Sequence, residues 1–189
     1  MLNTILGSFS TGAPPVAPSS YESIATVTVG SGGSSSISFT SISGSYTHLQ
    51  IRYIARTNNT GIYGKLTFNS DTTGANYYSH GLTGNGSSAS ANAWAGSTYS
   101  SIVFAANDFS NIASTFNGGV IDILDYTSTN KNKTVRFLQG SDRNGSGYIE
   151  FGSGLWSATP AAITTINLAT SSGSFQQYSQ FALYGIKGS

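Results

Sequence analysis

The chain has no cysteine, so covalent cross-linking is excluded and nothing in it reports on the redox compartment. Charge is nearly as scarce. Lys, Arg, Asp and Glu make up 8% of the 189 residues, eight basic against seven acidic, roughly a third of the share usual in globular domains. Phosphate backbones are held by clustered Lys and Arg. Here Arg52, Arg56, Lys65, Arg143 and Lys187 are scattered, and the only local group is Lys131, Lys133 and Arg136. That group faces Asp122 and Asp125 across a predicted hairpin, so cross-strand pairing is expected and no nucleic-acid partner is. Long apolar runs are missing too: nothing approaches the ~20 residues that a membrane helix needs. No basic residue precedes the short patch Leu2, Ile5 and Leu6, so it fails as a secretory signal, and release from a cytoplasm is expected.

Aromatics and glycine fill the space that charge leaves. With 11 Tyr, 10 Phe, 2 Trp and a 38% hydrophobic share, the chain has enough apolar area to offset its conformational entropy, so a folded domain is expected despite the Ser, Thr, Asn and Gly content. The stretch from Phe116 to Trp156 organises the reading. FNGGVIDILDY, KTVRFL and the run from Tyr148 to Trp156 are short, β-branched and aromatic. They are separated by TSTNKN and by a turn spanning Asp142 to Gly147, the pattern of a β-meander.

Read in order, the chain opens with residues 1–20, which hold Pro14, Pro15 and Pro18 of its four prolines and read as an extended arm. Glu22 to Val29 and Ser35 to Ile42 alternate on either side of GSGGS and read as a first hairpin. Tyr46 to Arg56 places Leu49, Ile51, Tyr53 and Ala55 on one face and mostly polar residues on the other, as a sheet with a single core-facing side requires. Lys65 to Asn69, Tyr77 to Leu82, Ser100 to Ala106, Ala162 to Ala169 and Tyr178 to Lys187 read as further strands, and Gly84 to Gly96 as a flexible loop. Roughly ten strands without a helical period predict an all-β fold: an antiparallel, jelly-roll-like β-sandwich over residues 21–189, led by the N-terminal arm.

No catalytic constellation emerges, and no enzymatic activity is expected. His48 and His80 lie in strand patterns without a nucleophile signature. Asp122 and Asp125 are the closest acids, but three residues apart on a strand they fall on opposite faces, unlike a glycosidase pair. The turn Asp142, Asn144, Ser146, Tyr148 follows the opening of a calcium loop: oxygens at positions one, three and five, Gly147 at six and a carbonyl at seven. Position twelve is Ser153 where the closing glutamate belongs. Calcium is thus the one cofactor candidate, and hairpin chemistry explains the same residues. Trp94, Tyr99 and Tyr63, with Tyr77 and Tyr78 nearby, lie in and around polar loops and are candidates for stacking on a glycan.

Five stretches carry a family resemblance: ILGSFSTGAPP with YESIATVTVGSGG, YTHLQIRYIART, DILDYTSTNKNKTVR, SGLW and the ending FQQYSQFALYGIKGS. Over nearly its whole length the chain resembles small virion-associated proteins of tailed bacteriophages that infect aquatic bacteria, cyanobacterial phages among them. The resemblance implies a non-enzymatic β-sandwich on the outer surface of the particle, commonly a homotrimer. Two roles fit it. One is a head decoration (cement) protein bound to the major capsid protein; the other is a tail-fibre or adhesin component that touches a host glycan or receptor. The chain has no heptad shaft or repeat array, and an arm of about 20 residues at ~3.3 Å each reaches roughly 60 Å. Decoration is therefore the expectation, with Leu2, Ile5, Leu6, Phe9, Pro14 and Pro15 as the capsid-binding arm.

Overall fold

The computed structural model describes residues 19–58, 63–95, 100–104, 113–142 and 145–188. The arm residues Leu2, Ile5, Leu6, Phe9, Pro14 and Pro15 lie outside them, as do Tyr99 and Asn144. The strands are β1 (Tyr21–Thr28), β2 (Ser36–Phe39), β3 (His48–Ala55), β4 (Gly64–Phe68), β5 (Tyr77–Gly84), β6 (Ala89–Ala95), β7 (Ile102–Phe104), β8 (Asn117–Leu124), β9 (Lys133–Asp142), β10 (Gly147–Trp156), β11 (Ile166–Thr170) and β12 (Gln180–Ile186). A 3-10 turn at Gly74–Asn76 is the only helical element among the described residues.

The strands form two antiparallel sheets, one ordered β1-β12-β3-β8-β9-β10-β5-β6 and the other β2-β11-β4-β7. This is the all-β sandwich that the alternation predicts, divided eight to four. The meander is present as β8, β9 and β10, consecutive neighbours in the large sheet. Leu49, Ile51, Tyr53 and Ala55 are buried as their phase in β3 requires. They join Ile121, Ile123, Val135, Phe137, Phe181 and Leu183 from the same sheet against Ile37, Phe39, Leu66, Phe68, Phe104, Ile166 and Leu168 from the other. At about 1.5–3 kcal/mol for each fully buried large apolar side chain, this one layer between the sheets supplies most of the drive to fold.

Two local expectations are corrected. The first is the opening hairpin: β1 pairs with β12 and β2 with β11, in different sheets. Between them Gly33, at φ +69°, turns the chain so that Ser34 bonds with Phe175, and the strand crosses from one sheet to the other. A short glycine turn satisfies the hairpin pattern equally well whether the next strand folds back or crosses over. The second is the loop Gly84 to Gly96, which contains β6, in register with β5 from Tyr78 opposite Ala95 to Gly84 opposite Ala89. Its sequence ASANAWA has almost no β propensity; the ladder hydrogen bonds to β5 hold it.

Glycines in the strands serve as seats for aromatic rings. Tyr53 lies directly across from Gly119, Phe137 from Gly152 and Phe104 from Gly64. In each case a Cβ on the glycine would run into the facing ring. Gly185 seats Tyr46 in the same way, and Gly154 makes room for Ile102. This arrangement inverts β10. Its core-facing positions are Glu150, Gly152, Gly154 and Trp156, while the bulky Ile149 and Phe151 point out of the sandwich.

Candidate functional site

The outer face of the large sheet is divided into two unlike halves. Over β1, β12, β3 and β8 it is polar and tied together. Tyr21 stacks on Tyr184 at 4.8 Å, and the Arg52 guanidinium lies 5.5 Å and 5.9 Å from the two ring centres. Tyr21 Oη donates to Gln50 Oε1 (2.6 Å), Arg52 Nε donates to the same oxygen (3.1 Å), and Gln50 Nε2 donates to Asp122 Oδ1 (2.8 Å). Asp122 then meets Arg136, its register partner on β9, at 3.6 Å. Nearby Lys131 holds Asp125 at 2.7 Å, so the basic group pairs with both acids across the hairpin as its position predicts.

From β8 to β6 the same face is apolar. Val120, Leu138, Phe151, Leu82 and Ala91 stand opposite one another strand by strand. Leu138 is 51% exposed, Phe151 57%, Leu82 57% and neighbouring Ile149 58%. Two residues along each strand runs a second row, Gly118, Gly140, Ile149, Gly84 and Ala89. A Cβ on Gly118 would meet nothing within 4 Å, and one on Gly84 only the Ile149 methyl at 3.8 Å. The outer glycines thus help line an open groove of about 890 Å³, together with Leu138, Ile149, Asn85, Arg52 and Asp142. A contiguous exposed apolar band beside a row of glycine and alanine, broken by Ile149 on β10, is what a contact surface offers, since lone soluble domains rarely leave such a band open to water.

On the inner side a buried polar chain runs from Tyr53 Oη to Gln139 Oε1 (2.6 Å) and from Gln139 Nε2 to Glu150 Oε2 (2.9 Å). Burial raises the Tyr53 phenol well above its ordinary value, and burial likewise raises the Glu150 carboxyl, with the Gln139 bond opposing it. The amide bonds this carboxyl and the phenol bonds the amide, so the chain ties β3, β9 and β10 together. His48 Nδ1 accepts from the Asp125 backbone N–H (3.0 Å), and His80 sits exposed on β5.

The other candidates are dispersed. Trp94 is half-buried on β6, its ring 3.0 Å from where a Cβ of Gly81 would lie, beside Glu150 Oε1. Tyr63 precedes β4 in the other sheet, and Tyr77 is fully buried, accepting from Phe68 N–H and donating to the Asp71 carbonyl. Tyr78 shares the outer face with Leu82. In the turn, Asp142 pairs with Gly147 to close the β9–β10 hairpin, Ser146 is exposed, and Tyr148 Oη accepts from Asn117 Nδ2 at 3.0 Å. Among the described residues no three His, Asp or Glu side chains come together as a metal site would need. The apolar band was missed in the sequence, although Leu138 directly after Phe137 already signals a strand apolar on both faces. No protein-family model, curated protein or solved structure matches the chain.

Proposed function

We propose that this chain is a structural protein of a tailed-phage virion, a head decoration protein that binds the major capsid protein on the outer surface and stabilises neighbouring capsomers. The observation that carries the reading is how the charge is used. Glu22 bonds Lys187, Asp71 takes Trp156 and Asn76, Asp122 takes Gln50 and Arg136, Asp125 takes Lys131, and Glu150 takes Gln139. Five of the seven acids therefore hold the fold together, and what faces solvent on the large sheet from β8 to β6 is an uncharged apolar band. Such a surface suits adhesion that salt does not dissolve. The resemblance in the sequence supplies the setting, and the mechanism is linkage: a protein that binds only the assembled shell adds its binding free energy to the shell's stability, repeated over every symmetric site.

The alternative role, a tail-fibre or adhesin component, differs in stoichiometry. Quantitative mass spectrometry of purified particles reads it: hundreds of copies place the protein on the head, and a few to a few dozen place it on the tail. Deleting residues 1–20 should abolish head occupancy while the domain stays folded. Full occupancy by the truncated chain would remove the clamp.

A further inference from the structure

The outer face of the large sheet is complementary to itself. On three of its strands a large apolar residue and a glycine stand two positions apart on the same side: Val120 and Gly118 on β8, Leu138 and Gly140 on β9, Leu82 and Gly84 on β5. The apolar residues form one continuous row across the sheet and the glycines the next, with Phe151 and Ile149 in the corresponding places on β10. A ridge therefore runs parallel to a trough, one residue pair away, and on β10 Ile149 interrupts the trough between Gly140 and Gly84.

From this geometry we infer that two copies of the chain pack outer sheet to outer sheet about a two-fold axis lying between the ridge and the trough. Rotation about that axis brings each ridge residue over the trough residue of its own strand in the other copy: Leu138 over Gly140, Val120 over Gly118, Leu82 over Gly84. On β10 Phe151 comes over Ile149, and the two must lean into the space above Gly140 and Gly84 on either side. Inside the fold, Gly64, Gly119, Gly152 and Gly185 are each covered by a facing aromatic ring, whereas Gly118 has open space above it. The second copy completes outside what the core does inside.

Charge agrees with this pairing. Neither row carries an ionised group between β8 and β6. The next outward residue beyond the ridge on β9 is Arg136, and beyond the trough it is Asp142. The same rotation sets Arg136 of each copy, held on one side by Asp122 of its own chain, opposite Asp142 of the other, so each flank of the contact brings a second acid to the guanidinium. Area agrees as well. Five strands from β8 to β6, ~4.8 Å apart and about seven residues long at ~3.3 Å each, cover roughly 550 Å² per copy. Two copies then bury about 1,100 Å², just above the ~1,000 Å² that a specific interface should clear. The inference gives the apolar band to a second copy, so it leaves capsid contact to the rest of the surface, and it does not depend on where on a particle the protein sits.

Sedimentation velocity on the full chain tests it, beside two single variants. Leu138→Lys places a charge on the ridge, and Gly118→Leu fills the trough at a position with open space around it. Both residues are on the solvent side, so thermal melts at low concentration should match the parent. The expected result is a dimer for the parent, with each variant raising its dissociation constant about tenfold or more. A parent that stays monomeric, a trimer, or a dimer that survives both substitutions overturns the inference.

Discussion

Tyr53 on β3 lays its ring over Gly119 on β8, so closely that a Cβ added to the glycine would lie 2.5 Å from the ring edge. Gly118, its neighbour in sequence, faces the other way with nothing within 4 Å. Both glycines lack the positive φ that would make a side chain strained in itself. Gly119→Ala should therefore destabilise the domain by about 1–3 kcal/mol through overpacking. Gly118→Ala should be neutral or slightly stabilising, because it only narrows the unfolded ensemble. Paired urea titrations check this; equal midpoints for the two variants would break the argument.

Burial raises the Glu150 carboxyl above its ordinary 4.5. A carboxyl that binds its proton more tightly when folded contributes stability that is full below the unfolded value and lost as pH rises through the folded one. Glu150→Gln should thus melt higher than the parent at pH 7 and show a flatter melting temperature between pH 4.5 and neutrality. A variant that melts lower at pH 7, with the parent's pH slope intact, would show that the charged form is the favoured one.

Asp71 works in the opposite sense. Burial pushes its carboxyl up, but bonds from Trp156 Nε1 (2.7 Å), Asn76 Nδ2 (2.8 Å) and Thr73 N–H (2.8 Å) outweigh burial and bring it below its ordinary value. Its contribution is present above pH 3.8, the unfolded value, and is lost as pH falls through the folded value. Asp71→Ala leaves the buried indole N–H without its acceptor and should cost about 1–3 kcal/mol. Denaturant melts give the stability, and a red shift of Trp156 emission reports the opened connection between β4 and β5.

Lys133 is buried, and its ammonium bonds back to the carbonyls of Ser128 (2.5 Å) and Lys131 (2.8 Å) inside the β8–β9 loop. Lys133→Met keeps the apolar stem and removes the donor, and should cost about 1 kcal/mol while speeding amide exchange in residues 127–132. Burial lowers the lysine below its ordinary 10.5, against the pull of Asp125. The parent should therefore gain a stability increment as pH climbs through the folded value, and the variant should lack it.

These residues also show what sequence reading captures. The alternation in β3 translates directly into Leu49, Ile51, Tyr53 and Ala55 inside, because each side chain's destination there depends only on its parity. β10 defeats the same reasoning. Ile149 and Phe151 are its obvious core candidates, yet Gly152 must face inward to receive Phe137, and parity then sends both large residues outward. Whether β1 folds back on β2 or crosses away from it is a long-range choice, settled by β12 and β11 some 150 residues on. The ridge and trough were legible only as anomalies of phase. Recognising them needs the register of four strands at once, which no single stretch contains. Of the sites marked in advance, Asp142 and Tyr148 of the turn fall on opposite faces of the sheet, Tyr148 on the side of Glu150 and Trp94, because alternation sorts residues by parity and not by nearness in sequence.

Seating rings on bare backbone has an evolutionary corollary. At Tyr53 with Gly119, Phe137 with Gly152, and Phe104 with Gly64, neither member can change size alone. Among diverging relatives the two columns must drift jointly, a ring shrinking to an aliphatic as its glycine grows to alanine. Three such couplings spanning both sheets would fix the pairing of the strands in any lineage, even where overall identity has decayed beyond recognition.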